Sequence, residues 1–320
     1  MKYAVISSFL GKTKDRFHEY NKDITLEEKF RMASEIPLMK AMECVYPYEV
    51  NDPVEVTALM KKYNLAISAV NVNVKAEPEF RNGGLTSPDK KIRDKAVRFI
   101  KEAKDFAAAI GTDQVTCCPL GDGYEFNFQA DYSKNWQYLL ETFGEASAYR
   151  PEITLFIEYK PSETRGTCFL SNAAKTILLI QQIGNKGLGV TLDFGHSMYG
   201  GANPAEELSL IHDSGVPYYI HINDNDARWD WDYFAGSKHL LAYAEFLYYA
   251  KKYGYTGYLT SDTSPTRWDI KKTFEINNRI TDKLLKVLDS MIADGFGDLI
   301  ERGDYMETWL FIEERLFGLK

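Results

Sequence analysis

The sequence predicts one (β/α)8 barrel over residues 1–290, followed by a helical extension over 291–320. Three observations carry this. Short apolar runs recur along the chain and alternate with longer amphipathic, capped segments, the pattern of a parallel sheet wrapped by helices. Eight such pairs can be counted, the number a closed barrel requires. Four of the runs finish on a carboxylate or an imidazole, at Glu158, Asp193, His221 and Asp262. Parallel barrels gather their catalytic groups from the C-terminal ends of several strands.

Residues 3–7 read as the first strand, with a polar loop containing Gly11 and Asp15 behind it. Thr25, with Glu28 three residues later, forms a capping box that opens a helix over 25–35. The second strand covers 41–45. Asp52-Pro53 then starts a helix that ends at Tyr63, since proline suits the first helical position. Ala66–Val72 alternates as a third strand and leads through Gly83-Gly84 to a helix starting at Ser87 or Pro88, closed by Gly111. Gln114–Cys117 is the fourth strand, and a helix over 132–149 precedes the fifth at 153–157. The alternation continues with a helix at 172–183, a strand at 188–192 and a helix at 204–213. A strand at 218–220, a helix at 238–253, a strand at 258–260 and a helix at 269–289 complete it. The acidic, aromatic stretch at 298–319 is more than a bare barrel needs; packing beside the barrel and subunit contact are its two expected uses.

A chain of 320 residues with 45% hydrophobic content can bury one large core. Its net charge of −8 argues against a nucleic-acid surface, which needs a basic patch. Four cysteines, at 44, 117, 118 and 168, form no C-x-x-C pair, so neither a disulfide framework nor a zinc finger is expected. The N-terminus enters a strand directly and lacks the features of a signal peptide, and no apolar run is long enough to span a bilayer. A cytoplasmic protein is the expectation.

Each candidate site residue also has a structural explanation. Glu158 and Lys160 lie two apart, so a continuing strand aims both into the barrel, where a plain salt bridge would also fit. Asp193 precedes His196, with Gly195 between them to allow a sharp turn, but aspartate also caps helices. His221 could be a hydrogen-bonded core histidine, and Asp262 a cap. Asp230 and Asp232 flank Trp231 in a loop where tryptophan is an odd choice for solvent. Jointly the residues say more, because strand placement and spacing agree. Carboxylates converging on one mouth repel one another unless a cation sits among them. Oxygen donors with two imidazoles suit Mn, Mg or Co better than a thiolate-seeking ion.

The run Glu158-x-Lys160, Asp193-x-x-His196, His221, Asp230-x-Asp232 and Asp262 resembles the xylose isomerase-like superfamily of metal-dependent sugar isomerases, most closely the L-rhamnose isomerases and related sugar isomerase-epimerase members. Further segments share it, among them 70–73, 84–89, Asp122-Gly123 and 221–225. The resemblance implies two divalent metals, Mn2+ foremost, with Co2+, Mg2+ and Zn2+ as alternatives. Glu158, Asp193, His221 and Asp262 would hold one; His196, Asp230 and Asp232, with Glu158 bridging, would hold the other. Lys160 would polarise the carbonyl of a free sugar, and with Glu158, Asp230 and His196 would form the catalytic group. Asn71, Asp122, Trp231 and His239 are expected to bind substrate, Asp122 or His239 assisting ring opening where xylose isomerases use an early-strand histidine. The implied reaction is aldose–ketose interconversion by hydride shift between C1 and C2, with ketose 3-epimerisation as the alternative. A homo-oligomer, dimer or tetramer, is implied as well.

Overall fold

The computed structural model describes residues 1–163 and 165–319. Eight strands close into a barrel: β1 Lys2–Ile6, β2 Met39–Tyr46, β3 Ala66–Val72, β4 Gln114–Cys117, β5 Thr154–Glu158, β6 Leu188–Asp193, β7 Tyr218–Ile222 and β8 Tyr258–Ser261. Each pairs in parallel with its neighbours in sequence, and β8 pairs with β1 to complete the ring. Around it run α1 Leu26–Ser34, α2 Pro53–Tyr63, α3 Lys90–Ile110, α4 Tyr132–Ala148, α5 Ala173–Ile183, α6 Phe194–Tyr199, α7 Pro204–Asp213, α8 Leu240–Lys252 and α9 Ile270–Ala293, with α10 Phe296–Glu301 and α11 Tyr305–Arg315 beyond them.

The start and stop signals act where the sequence puts them. Thr25 and Glu28 form the reciprocal capping box of α1. Asp52 caps α2 with Pro53 at its first position, and Gly111 closes α3 in the left-handed conformation that glycine adopts without strain. Strand and helix ends shift by a residue or two in several places, and three differences bear on the argument. The third helix begins at Lys90 behind Asp89, because the carbonyls of Ser87 and Pro88 are taken by the Arg93 guanidinium instead of by helical amides. α6 follows β6 directly, where a turn was expected. And α9 continues to Ala293, so the division expected at residue 290 falls inside a helix.

Apolar side chains fill the layer between strands and helices. The lumen is packed separately, by Ala69, Phe156 and Tyr219. The Tyr219 hydroxyl donates to Ser68 Oγ at 2.9 Å and shares a hydrogen with Thr260 Oγ1 at 2.5 Å, so this buried phenol is satisfied. Gly189 makes room for the Phe156 ring, which a Cβ at that position would approach to 2.6 Å. This plug is the floor on which the polar residues of the mouth stand. At the far end of the chain, Phe296 is buried, edge-on to Tyr248 and stacked on Phe311, which pins α10 to α8. α11 buries no residue and leaves Tyr305, Met306 and Leu310 in solvent. Among the described residues no helix is long and apolar enough to cross a membrane.

Candidate active site

Register brings the strand-end residues together. Asp193 of β6 lies level with His221 of β7, and Glu158 of β5 pairs two residues lower with Thr191. Asp262 follows β8, tied by its amide to the carbonyl of Ile222. Glu158, Asp193, His221 and Asp262 each offer one donor atom within 4.8 Å of all the others. The Nδ1 of His221 faces this group, 3.3 Å from Glu158 Oε1 and 3.5 Å from Asp262 Oδ2.

A second group is formed by Asp193, His196 and Asp230. His196 Nδ1 lies 3.0 Å from the carbonyl of Tyr159, and Nε2 lies 3.1 Å from Asp230 Oδ2. The Lys160 ammonium reaches the same Asp230 oxygen at 2.8 Å and Glu163 at 2.8 Å. Asp193 belongs to both groups and also caps α6, accepting the amide of His196 at 2.8 Å. Capping and clustering are therefore one act for this carboxylate. Asn223 orients it with bonds of 3.1 and 3.0 Å. Gly195 is helical, not turned; it is needed because a Cβ would come within 2.6 Å of Asn223 Oδ1.

Crowding of like charges displaces the protonation equilibria. Burial, with nearby Asp193, Glu158 and Asp230, pushes Asp262 up to about 8 despite the His221 ring. Burial alone would raise Glu158 too, but His221 and His196 outweigh it and hold the carboxyl at about 2. Burial works against the charge of His196, yet Asp193 and Asp230 carry it up to about 9. Burial, then Asp230 and Asp262, drive Asp232 well above the carboxylate range. Lys160 stays charged against burial because Asp230 and Glu163 flank it. Protons thus occupy a cluster that a divalent cation would neutralise better. The donor set fits such an ion: carboxylate oxygens and two imidazoles, with Asp230 Oδ1 buried and without a hydrogen-bond partner.

Glu158, Lys160, His196, Asp230, Asp232 and Asp262 line a cavity of about 250 Å3, joined on the opposite side by Phe9, Asn71, Asn73, Lys75 and Cys118. Asp232 stands in its wall but outside both donor groups, so the second group contains Asp193 where the resemblance put Asp232 and a bridging Glu158. Of the residues expected to bind substrate, only Asn71 borders this cavity. Asp122 is buried and turned to the amide and hydroxyl of Thr86, at 2.6 and 2.7 Å. His239 is held by Asp224 at 2.8 Å, where that aspartate also caps the turn into α8. Trp231 is half exposed and donates to Asp226 at 3.0 Å. Asp122 and His239, expected to assist ring opening, thus lie outside this cavity, Asp122 bonded through Oδ1 to Thr86 and His239 through Nδ1 to Asp224. A larger hollow, about 630 Å3, adjoins at Leu120 and carries Tyr124, but none of the clustered donors.

Glu43 and Lys75 were not anticipated. Glu43 lies inside β2 with no exposed surface, bonded to Asn71, Thr116 and His221. A charged residue in the apolar run Met42-Glu43-Cys44-Val45 was the available signal, since a carboxylate is costly to bury without a purpose. Lys75 follows β3 in a loop where the sequence carries no such mark.

The family model described as xylose isomerase-like TIM barrel matches residues 30–290. The chain belongs to this family. A xylose isomerase of Thermus thermophilus is 26% identical over 199 residues, covering 60% of this chain and 51% of that protein. The chain thus spans about half the length of the curated relatives it matches, the Thermus caldophilus xylose isomerase included. Among solved structures, an L-ribulose 3-epimerase superposes with a TM-score of 0.71 at 16% identity, covering 92% of this chain and 97% of its own. A D-tagatose 3-epimerase-like protein gives 0.69 at 20%, covering 91% and 100%. IOLI protein with a binding zinc atom gives 0.65 at 13%, covering 89% and 98%. These likenesses show the fold.

Proposed function

We propose that the protein is a divalent-metal-dependent isomerase of a free monosaccharide, interconverting aldose and ketose between C1 and C2. The observation that carries this reading is the Lys160 ammonium, fixed 2.8 Å from Asp230 beside two donor groups that share Asp193. Glu158, Asp193, His221 and Asp262 would hold one ion; Asp193, His196 and Asp230 a second, with Asp232 in reserve at the wall. Ions there, Mn2+ foremost, would supply Lewis acidity and a template for neighbouring sugar oxygens. The chain's own part is placement and field. Lys160, kept charged by Asp230 and Glu163, puts a donor where negative charge develops on the carbonyl oxygen. His196, braced by the carbonyl of Tyr159, and Glu158 fix the acidic wall against which the sugar lies. Hydrogen crosses from C2 to C1 as hydride while a proton leaves O2 and one is added at O1, so the redox change is internal. The cavity lies below the usual volume of sites for drug-sized ligands, in keeping with one sugar ring. A cytoplasmic location accords with four free cysteines, and the exposed apolar residues of α11 accord with a homo-oligomer.

One observation favours a 3-epimerase instead. Glu158 at the end of β5 and Asp262 after β8 are two carboxylates of one donor group, one lowered by imidazoles and the other raised by burial, an arrangement that an opposed base and acid could use. Turnover of free aldoses and ketoses in D2O with excess Mn2+ separates the two. Aldose–ketose exchange without solvent deuterium in the product supports the hydride shift. Inversion at C3 with deuterium incorporated there replaces it with epimerisation.

A further inference from the structure

Glu43 is fully buried in the middle of β2, and each of its side-chain bonds reaches another strand. Its Oε1 accepts Thr116 Oγ1 of β4 at 2.6 Å and Asn71 Nδ2 of β3 at 2.9 Å. Its Oε2 lies 3.0 Å from His221 Nε2 of β7. Among the described residues no lysine or arginine pairs with it. Even with these three partners a buried carboxylate is a poor stabiliser, since an apolar side chain of similar volume avoids the desolvation cost. Its geometry explains its presence better. The two nitrogens of His221 point in opposite directions, Nε2 to Glu43 and Nδ1 to Glu158, Asp262 and Asp193. With an ion at Nδ1 the imidazole would be neutral and carry a single N–H, and an ionised carboxylate only accepts.

We propose that Glu43 is the positioning residue of His221: it accepts the Nε2–H, and so presents the Nδ1 lone pair to the cluster formed with Glu158, Asp193 and Asp262. Asn71 and Thr116 in turn fix which oxygen Glu43 offers. A carboxylate behind a ligating histidine orients the ring and raises its basicity, and its loss commonly costs 10–100-fold in metal affinity. The inference rests on the reading of those four residues as a metal site.

Glu43→Gln is the informative change because it keeps shape. Two donors already claim the Oε1 position, so the amide oxygen settles there and the amide nitrogen meets His221 Nε2. That donor forces the lone pair onto Nε2 and the proton onto Nδ1, towards the cluster. Calorimetry with Mn2+ on metal-free protein is expected to show affinity reduced on the order of 10–100-fold in Glu43→Gln, with wild-type circular dichroism. In wild-type protein loaded with diamagnetic Zn2+, 15N spectra are expected to show the His221 proton on Nε2 and none on Nδ1, the signal being assigned by its loss in His221→Asn. Mn2+ affinity within about threefold of wild type, well short of the usual loss, overturns the role of Glu43 alone. So does a Zn2+-loaded wild type with the proton on Nδ1, a result available even where Glu43→Gln does not fold. Wild-type protein that binds neither ion overturns the metal-site reading and this proposal with it.

Discussion

The two halves of the barrel mouth are built on opposite principles. Along β5 to β8, four strand ends supply Glu158, Asp193, His221 and Asp262, and the loop after β7 adds Asp230; charge is concentrated there until protonation itself is displaced. Along β1 to β4 the cavity is lined by Phe9, Asn71, Asn73, Lys75 and Cys118, neutral but for one lysine. Glu43, a carboxylate of that side, is sunk beneath the surface, bonded to Asn71 and Thr116, and reaches the charged wall through His221. The contrast suggests a division of labour. On the proposed reading one wall would hold ions and charge, and the other would meet the rest of the sugar. Mutations on the two sides should therefore fail in different ways.

The largest effect is expected at Asp193, which belongs to both donor groups. Asp193→Asn should abolish bound metal and reduce turnover to background, read by elemental analysis beside a sugar-exchange assay. Retention of both would break the division at its strongest point. Lys160→Met comes next. It touches Asp230 but donates no ligand atom, so kcat should fall on the order of 10²–10³-fold, as when a single transition-state donor is lost, with metal content unchanged. An unchanged kcat would remove Lys160 from the chemistry.

The pH response separates the walls without mutation. In metal-free protein the folded state lifts His196 from 6.5 to about 9 and Asp262 from 3.8 to about 8. Both then bind protons more tightly than the unfolded chain does. The stability each contributes is present below the unfolded value and lost as pH rises through the folded one, so metal-free protein should weaken from about pH 4, where Asp262 begins to lose its share, to about pH 9, where His196 has lost its own. Metal binding must displace these protons, and its affinity should rise about tenfold per pH unit for each proton released. Melting curves with and without EDTA across this range should diverge as pH increases. Curves that converge would mean that the charged wall does not hold the ion.

The same division explains what the sequence disclosed. The barrel was legible because strand ends, caps and Gly111 act locally, and the charged wall because four consecutive units repeat one placement. Long-range contact was not legible. Asp122 and His239 occupy loops that point to a mouth, but Thr86 and Asp224, distant in sequence or facing inward, claim them first. The Asp230-x-Asp232 spacing suggested a matched pair, whereas the backbone of Asp232 turns into the left-handed region at φ 50°, and only Asp230 joins His196. Glu43 reaches His221 across 178 positions, a partnership that no local pattern encodes.

The smallest effect concerns the quieter wall, and it is the sharpest test of the contrast. Lys75 borders the cavity, makes no ion pair among the described residues, and its backbone amide is fixed by Asn73 Oδ1 at 3.0 Å. Its charge helps to lower Glu158, but as the least of the causes, behind the two imidazoles. Lys75→Met removes the ammonium while keeping most of the stem. If this side reads the sugar, the lost charged donor should raise KM on the order of tenfold, with kcat and Mn2+ affinity close to wild type. A fall in Mn2+ affinity comparable to that of the ligand variants would make Lys75 part of the charged wall. The cavity would then be one continuous electrostatic unit, and sugar recognition would have to come from the loops above it.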